Sequence, residues 1–340
     1  MASGCQTTRG SSTPAAIAQQ VLQSTPASAA TLYTPEPLNL SLGKPNEAGE
    51  IPVLEYHQLV PEGVRPHGYQ YPASKFKADM ERLYALGYRP INLTELVTGH
   101  IDCPAGKTPV VITFDDALPG QIDFDPNGNV TPNCAVGILE QMHAEHQDWP
   151  LRATFFVLPR KGQTNYFYQV QFSRQKLQWL AANGFELGNH TVHHLPGIRS
   201  WPDKRVEGEF AVAAKMIDEN VPGYNVDLLA LPFGVYPRHI ALVKSGSYNG
   251  LTYRNICAMM AGAAPAPAPF TKAWNPYRVQ RIIPGYGRFE IGWWLTYLQA
   301  HKAKRYISDG DPNTVTVPTM LVKEVIPARI QKLGLHLRTY

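Results

Sequence analysis

Two places in this 340-residue sequence combine residue types that can do hydrolytic chemistry. In Val110-Val111-Ile112-Thr113-Phe114-Asp115-Asp116 an apolar, strand-like run leads straight into two adjacent carboxylates. In Gly188-Asn189-His190-Thr191-Val192-His193-His194 a second strand-like run ends in a histidine cluster. On a helical turn, residues i and i+4 share a face, so His190 and His194 can grip one ion through their ring nitrogens while His193 points elsewhere. Two neutral imidazoles and one carboxylate make a three-ligand set for a zinc-like divalent ion, with positions left open for water and substrate. One aspartate then binds the ion, and the other is free to take a proton from water that the ion has acidified. Thr191 stands where a His-Glu-x-x-His protease carries its Glu, so the base has to come from another strand. Each motif alone has a plain structural explanation, a helix-capping Asp pair or a surface His cluster. Together they form a complete hydrolytic set.

These residues need strand ends to hold them. From Ile51 onward, short apolar runs at 51–56, 109–114, 153–157, 185–188, 227–231, 251–253 and 279–283 alternate with helix-like stretches at 74–86, 134–145, 174–182, 206–220 and 239–244. Most of the apolar runs are bounded by Gly, Pro or Asp, as strands are. In the 74–86 stretch, Phe76, Met80 and Leu83 have helical spacing, with Ser74 as the expected N-cap and Gly87 as the stop. Strand–helix repetition predicts a parallel sheet with crossover helices, closed as a barrel or open as a doubly wound sheet. In either form the active site lies at the carboxyl ends of the strands. The Ala-Pro run at 262–269 reads as an extended surface loop, and Asp123 to Asn129 as an acidic turn around Asn127-Gly128 in preference to a calcium loop. Trp274, Trp293 and Trp294 read as core.

Thr113-Phe114-Asp115-Asp116, His190-Thr191-Val192-His193-His194 and the intervening Ala153-Thr154-Phe155-Phe156-Val157 strand, in that order, resemble the polysaccharide deacetylases of the NodB-homology type. The resemblance spans most of 51–283 and implies a distorted (β/α) barrel of about seven parallel strands with surrounding helices. It makes Asp115 the catalytic base and Asp116, His190 and His194 the ligands of one divalent ion, Zn2+ by donor type. The substrate it implies is an N-acetylated polysaccharide that releases acetate. In Leu231-Pro232-Phe233-Gly234 it assigns the Phe233 N–H as an oxyanion donor. Most of the family has an Arg two residues before this Pro to orient the catalytic Asp, and here that position is Ala230. The late histidine that acts as catalytic acid also has no counterpart, since His301 lies in a helix-like run and His336 in the C-terminal tail. Both departures match the circularly permuted deacetylases of biofilm poly-N-acetylglucosamine, whose N-terminal Tyr-His supplies the acid. In Ile51-Pro52-Val53-Leu54-Glu55-Tyr56-His57 that residue is His57.

Composition sets the outer limits. A hydrophobic content of 44% with 17% charged residues is ordinary for a globular chain. No stretch of eighteen apolar residues suggests a membrane span. The net charge of +4 is scattered, without the basic stripe of a nucleic-acid binder. Residues 1–50, rich in Ser, Thr, Ala, Pro and Gln, read as a tether ahead of a domain at 51–340. Ala2-Ser3-Gly4-Cys5 resembles the end of a bacterial lipoprotein signal, which predicts an extracytoplasmic protein whose only membrane contact is a lipid anchor. Cys103, Cys134 and Cys257 have neither zinc-knuckle spacing nor an even count, and their pairing stays open. Two other functions fit the same motifs: a non-catalytic glycan-binding protein, favoured by the loss of Arg at position 230, and hydrolysis of a small-molecule C–N bond.

Overall fold

The computed structural model describes residue 38 and residues 40–159 and 166–340. Most of the expected tether, with Ser3-Gly4-Cys5, lies outside the described residues. Asn46 and Glu47 are buried, and Asn46 and Glu50 form bridges to Ile307 and Arg305. The folded body therefore begins ahead of the Ile51 boundary that composition suggests.

The elements in chain order are β1 (Val53–Tyr56), β2 (Leu59–Val60), β3 (Tyr71–Pro72), α1 (Ala73–Ala85), β4 (Tyr88–Ile91), α2 (Leu93–Thr98) and β5 (Thr108–Asp115). There follow α3 (Ala135–Glu145), β6 (Thr154–Val157), α4 (Ser173–Ala182), β7 (Glu186–Asn189), α5 (Asp203–Asn220) and β8 (Leu228–Ala230). The last third holds β9 (Ser245–Tyr248), β10 (Leu251–Arg254), β11 (Cys257–Met259), α6 (Ile291–Ala300), β12 (Thr314–Val317), α7 (Pro327–Lys332) and β13 (His336–Thr339).

Strands β1-β5-β6-β7-β8-β11 form one sheet, with β4 also paired to β5, and every pair is parallel. Two bridges extend it: Val279 pairs with Met259 at the β11 edge and Ile282 pairs with Leu54 of β1. The 279–282 segment thus links the two edges and gives the distorted (β/α) barrel that the resemblance implies. It does so through isolated bridges, where the sequence predicts a full strand. β5 is buried along its whole length, as a strand covered on both faces must be, and this explains its continuous apolar run. Phe114 on β5 stacks on Phe155 of β6 at 4.8 Å, with Tyr56 of β1 and Phe76 of α1 against it.

Several local readings change. Ser74 does not cap α1; its hydroxyl donates to Glu62, and the N-cap position is Pro72. Residues 239–244 form only a short 3-10 turn at Ile240–Val243. The 251–253 run is not part of the barrel. As β10 it pairs antiparallel with β9 across Asn249-Gly250, both at positive φ, in a hairpin packed on α5. The Ala-Pro run is not a surface loop: Ala266 and Ala268 are buried, and Ala266 exchanges backbone hydrogen bonds with Ile51. The 123–129 segment is the expected turn, with Asp125 accepting from the Asn127 and Asn129 N–H groups. Trp274 is core, but Trp293 and Trp294 are half-exposed, and Trp293, Tyr297 and His301 stack along α6. Cys103, Cys134 and Cys257 are buried free thiols. β12 and β13 pair in parallel around α7, and their apolar residues join Ile51, Ile91 and Phe270 in one cluster.

The Phe114 side chain is wholly buried beside the site-bearing end of β5. Phe114→Ala should cost about 3–5 kcal/mol, read as a lower urea midpoint at unchanged m-value.

Candidate active site

Asp115 ends β5 and Asp116 begins the loop that follows. The Asp116 backbone turns left-handed at φ 74, and Ala117 follows at φ 50. Non-glycine residues rarely adopt this region, and it appears where surrounding structure fixes a functional loop. On β7, Asn189 ends the strand and His190 begins a loop in which Thr191 and His194 are also left-handed, at φ 66 and 52. His190 and His194 therefore do not share a face of a helical turn, as their spacing suggests. They converge because this loop doubles back.

The convergence is tight. Asp116 Oδ1 lies 3.4 Å from Nε2 of both His190 and His194. The three side chains can offer ligand atoms all within 4.8 Å of one another. His190 Nδ1 donates to the Ala230 carbonyl at 2.9 Å, the tautomer that leaves Nε2 as a lone pair facing Asp116. His190 Nε2 and Asp116 Oδ1 are both buried without a hydrogen-bond partner. Two acceptor atoms facing each other in that state are costly unless a cation lies between them. Two imidazoles and a carboxylate also suit a zinc-like ion, so the residues present fit the expected metal.

Asp115 is held differently. Arg281 donates from Nη1 to Oδ1 and from Nη2 to Oδ2, both at 2.7 Å, the fork geometry of a bidentate pair. The same guanidinium reaches Thr113 Oγ1 at 3.2 Å, the Met260 carbonyl at 2.9 Å and Glu55 Oε1 at 3.0 Å. Burial alone would raise the Asp115 pKa, but Arg281, with His190 and His57, outweighs it and holds the carboxylate well below its ordinary range. Burial likewise raises Glu55, to about 7 against the pull of Arg281. Glu55, His57 and Asp115 also bring ligand atoms within 4.8 Å, but the guanidinium already occupies the carboxylates there, so this group is an ion-pair network and not a second metal site.

His57 follows β1 and comes within that distance of Asp115. Gln121 fixes this proximity by donating Nε2 to the carbonyls of both His57 and Asp115, at 3.1 and 2.6 Å. Burial lowers the His57 pKa, with Asp115 and Asp116 pulling the other way. Tyr69, itself 68% exposed, stacks on the His57 ring at 4.8 Å. Phe233 follows Pro232 after β8 at φ 57, and its exposed ring packs on His194 at 4.7 Å. All six residues singled out from sequence thus gather at the carboxyl ends of β1, β5, β7 and β8. His301, stacked on Tyr297 at the end of α6, and His336, on β13, belong to other parts of the molecule.

Residues 103–253 match the family model described as polysaccharide deacetylase. Over that span the chain is similar to polysaccharide deacetylases. No curated protein sequence matches it. Among solved structures it is similar to the Streptococcus pyogenes deacetylase PplD, with TM-score 0.53 and 19% identity over 73% of this chain and 97% of that one. A putative polysaccharide deacetylase of Bacillus anthracis gives 0.52 and 17% over 73% and 68%. IcaB from Ammonifex degensii gives 0.51 and 17% over 74% and 97%. At such identities these likenesses establish the fold. The matched span holds Asp115, Asp116, His190, His194 and Phe233, whereas His57 and Arg281 lie outside it.

Sequence reasoning missed Arg281, Glu55, Gln121 and Tyr69 as parts of the candidate site. For Arg281 there was a signal: one guanidinium in the middle of Val279-Gln280-Arg281-Ile282-Ile283, an otherwise strand-like run. A charge buried in such a position needs a partner.

Arg281→Met leaves Glu55 and Asp115 buried without compensation, and should cost about 3–5 kcal/mol in urea denaturation. The sign with pH follows from a depressed folded pKa. The pair's contribution is complete above the unfolded carboxylate value of about 3.9 and is lost as pH falls through the lower folded value. Without Arg281 the Asp115 pKa rises, so the acidic limb of any pH–rate profile should move to higher pH.

Proposed function

We propose that this chain is a divalent-metal-dependent hydrolase that removes N-acetyl groups from an N-acetylglucosamine-containing glycan and releases acetate. The observation that carries the reading is the meeting of Asp116, His190 and His194 within ligand distance of one another, directly beside a carboxylate that Arg281 keeps ionised. Asp116, His190 and His194 would hold a divalent ion such as Zn2+, which would supply Lewis-acid polarisation of the acetyl carbonyl and lower the pKa of water. Asp115, oriented and ionised, takes a proton from the attacking water. The Phe233 N–H donates to the oxygen that gains negative charge at the carbonyl carbon. His57 gives its proton to the departing nitrogen, so the C–N bond breaks to a free amine and acetate. Burial makes His57 a stronger acid than a free imidazolium, which suits transfer to a poor leaving group.

The ion-pair network favours catalysis over passive glycan binding. The absence of Arg at position 230 argues for a non-catalytic scaffold only while nothing else holds Asp115, and Arg281 holds it from another part of the chain. The exposed rings of Phe233 and Tyr69 beside His194 and His57 provide the aromatic faces on which pyranose rings pack. Lipid attachment at Cys5 and an extracytoplasmic location belong to the same proposal, and intact-mass analysis of protein from native membranes tests them.

Purified protein should contain about one equivalent of a divalent metal, and His190→Ala should lose it. Acetate release should be measured on poly-N-acetylglucosamine, chitin and peptidoglycan fragments beside small N-acyl compounds. Turnover of the small compounds alone would overturn the glycan assignment. His57→Ala should keep the metal and lose about 10²–10⁴-fold in rate. Near-normal turnover would remove His57 as the acid.

A further inference from the structure

The loop that carries both histidines has little support of its own. Two of its residues are non-glycine and left-handed, Thr191 and His194, a costly conformation that persists only where the surroundings impose it. The loop is held by neighbouring residues of α5. Glu209 Oε2 accepts the backbone N–H groups of Val192 and His193, each at 3.0 Å, and Oε1 contacts His193 Nδ1 at 2.7 Å. One position on, the Phe210 carbonyl accepts from Asn189 Nδ2 at 2.8 Å, while Asn189 Oδ1 accepts the Thr191 N–H at 2.8 Å. Within the loop, Thr191 Oγ1 accepts the His194 N–H at 3.2 Å.

Glu209 is only 6% exposed and lies on the buried face of α5, among Val206, Phe210 and Ala213. A carboxylate there works against the helix's own packing, since burying a charge costs free energy unless it is well paired. Its three contacts all go to the stretch between the two histidines. They clamp the residues that have to turn for His190 and His194 to face one ion, and they leave His190 Nε2 and His194 Nε2 free to do so.

We propose that Glu209 is a positioning residue for the metal centre: it sets the 190–194 loop in the one conformation that brings His190 and His194 together at Asp116. His193 is thereby explained as a handle for this clamp instead of a ligand. The inference rests on reading Asp116, His190 and His194 as metal ligands.

The test is Zn2+ affinity, measured on purified metal-free protein by competition with a chromophoric chelator, together with thermal melting without metal. Glu209→Gln keeps an oxygen that accepts both backbone N–H groups, and should hold Kd near the wild-type value. Glu209→Met, similar in length but without an acceptor, should raise Kd about 10–100-fold, as loss of a residue that orients metal ligands does. Glu209→Asp, with its carboxylate drawn back by one methylene, is measured beside it in case the Met variant does not fold, and should also raise Kd. A purely structural role predicts lower melting temperatures but unchanged Kd in whatever folds, and a folded Met or Asp variant with wild-type Kd would overturn the proposal. If the wild-type chain itself binds no Zn2+, the reading of the site falls and this inference with it. If wild type binds and His190→Ala does not, the site stands and the Glu209 variants decide the clamp alone.

Discussion

The fork of hydrogen bonds between Arg281 and Asp115 is the interaction on which the rest of this molecule turns. Both groups are almost fully buried, and a buried ion pair repays its desolvation only when geometry and additional hydrogen bonds are good. Here the guanidinium is satisfied from every side: Asp115 and Thr113 from β5, Glu55 from β1, and the Met260 carbonyl just after β11. Those partners come from widely separated parts of the chain. They meet only if the 279–282 segment lies between β11 and β1, so closing the barrel and orienting the candidate base are one structural event.

This explains which features were legible in the sequence. Motifs confined to one strand end could be read directly: Asp115-Asp116, the His190 to His194 cluster, and Tyr56-His57. The strands that carry them were readable too, because a strand buried on both faces shows as an unbroken apolar run. Arg281 was hidden because its role depends on a neighbour 166 residues away. The empty Arg position at 230 is visible in the sequence, but its replacement exists only in three dimensions. Short or atypical elements were also missed. β4 contains Arg89 and Pro90, and β11 is three residues long, so neither has a clear period. The 251–253 run has a strand's composition, yet composition cannot say which sheet it joins, and the Asn249-Gly250 turn pulls it into a hairpin.

Backbone strain was the other hidden variable. The loops that carry the candidate site residues after β5, β7 and β8 hold left-handed non-glycine residues: Asp116 and Ala117, Thr191 and His194, and Phe233. Nothing in Asp, Ala, Thr, His or Phe announces such a conformation. The spacing of His190 and His194 suggested a helical turn, and the residues do meet, but by a different route. The turns after β5 and β7 have their own support. Gln121 ties the Asp115 carbonyl to His57, and α5 holds the histidine loop through Glu209 and the Phe210 carbonyl. The strain is thus concentrated in loops that carry the candidate site residues.

Charge completes the argument for a cation. Glu55, Asp115 and Asp116 put three carboxylates into a small buried space, and among the described residues Arg281 is the guanidinium paired with them and no Lys is. The site answers this imbalance in two ways. Glu55 is raised to about 7 by burial, partly surrendering its charge. His190 is pulled down by burial but driven up further by Asp115 and Asp116, so in the absence of an ion a proton on its ring is the cheapest available cation. A divalent ion held by Asp116, His190 and His194, as proposed, would replace that proton and neutralise more charge. On the proposed reading protons and metal would compete for the same imidazole nitrogen, and the affinity should rise with pH as the histidines become neutral. Arg281 keeps Asp115 out of that competition. Paired with a guanidinium that keeps its proton, Asp115 stays a carboxylate, which would let the two adjacent aspartates hold different roles although the chain places them side by side.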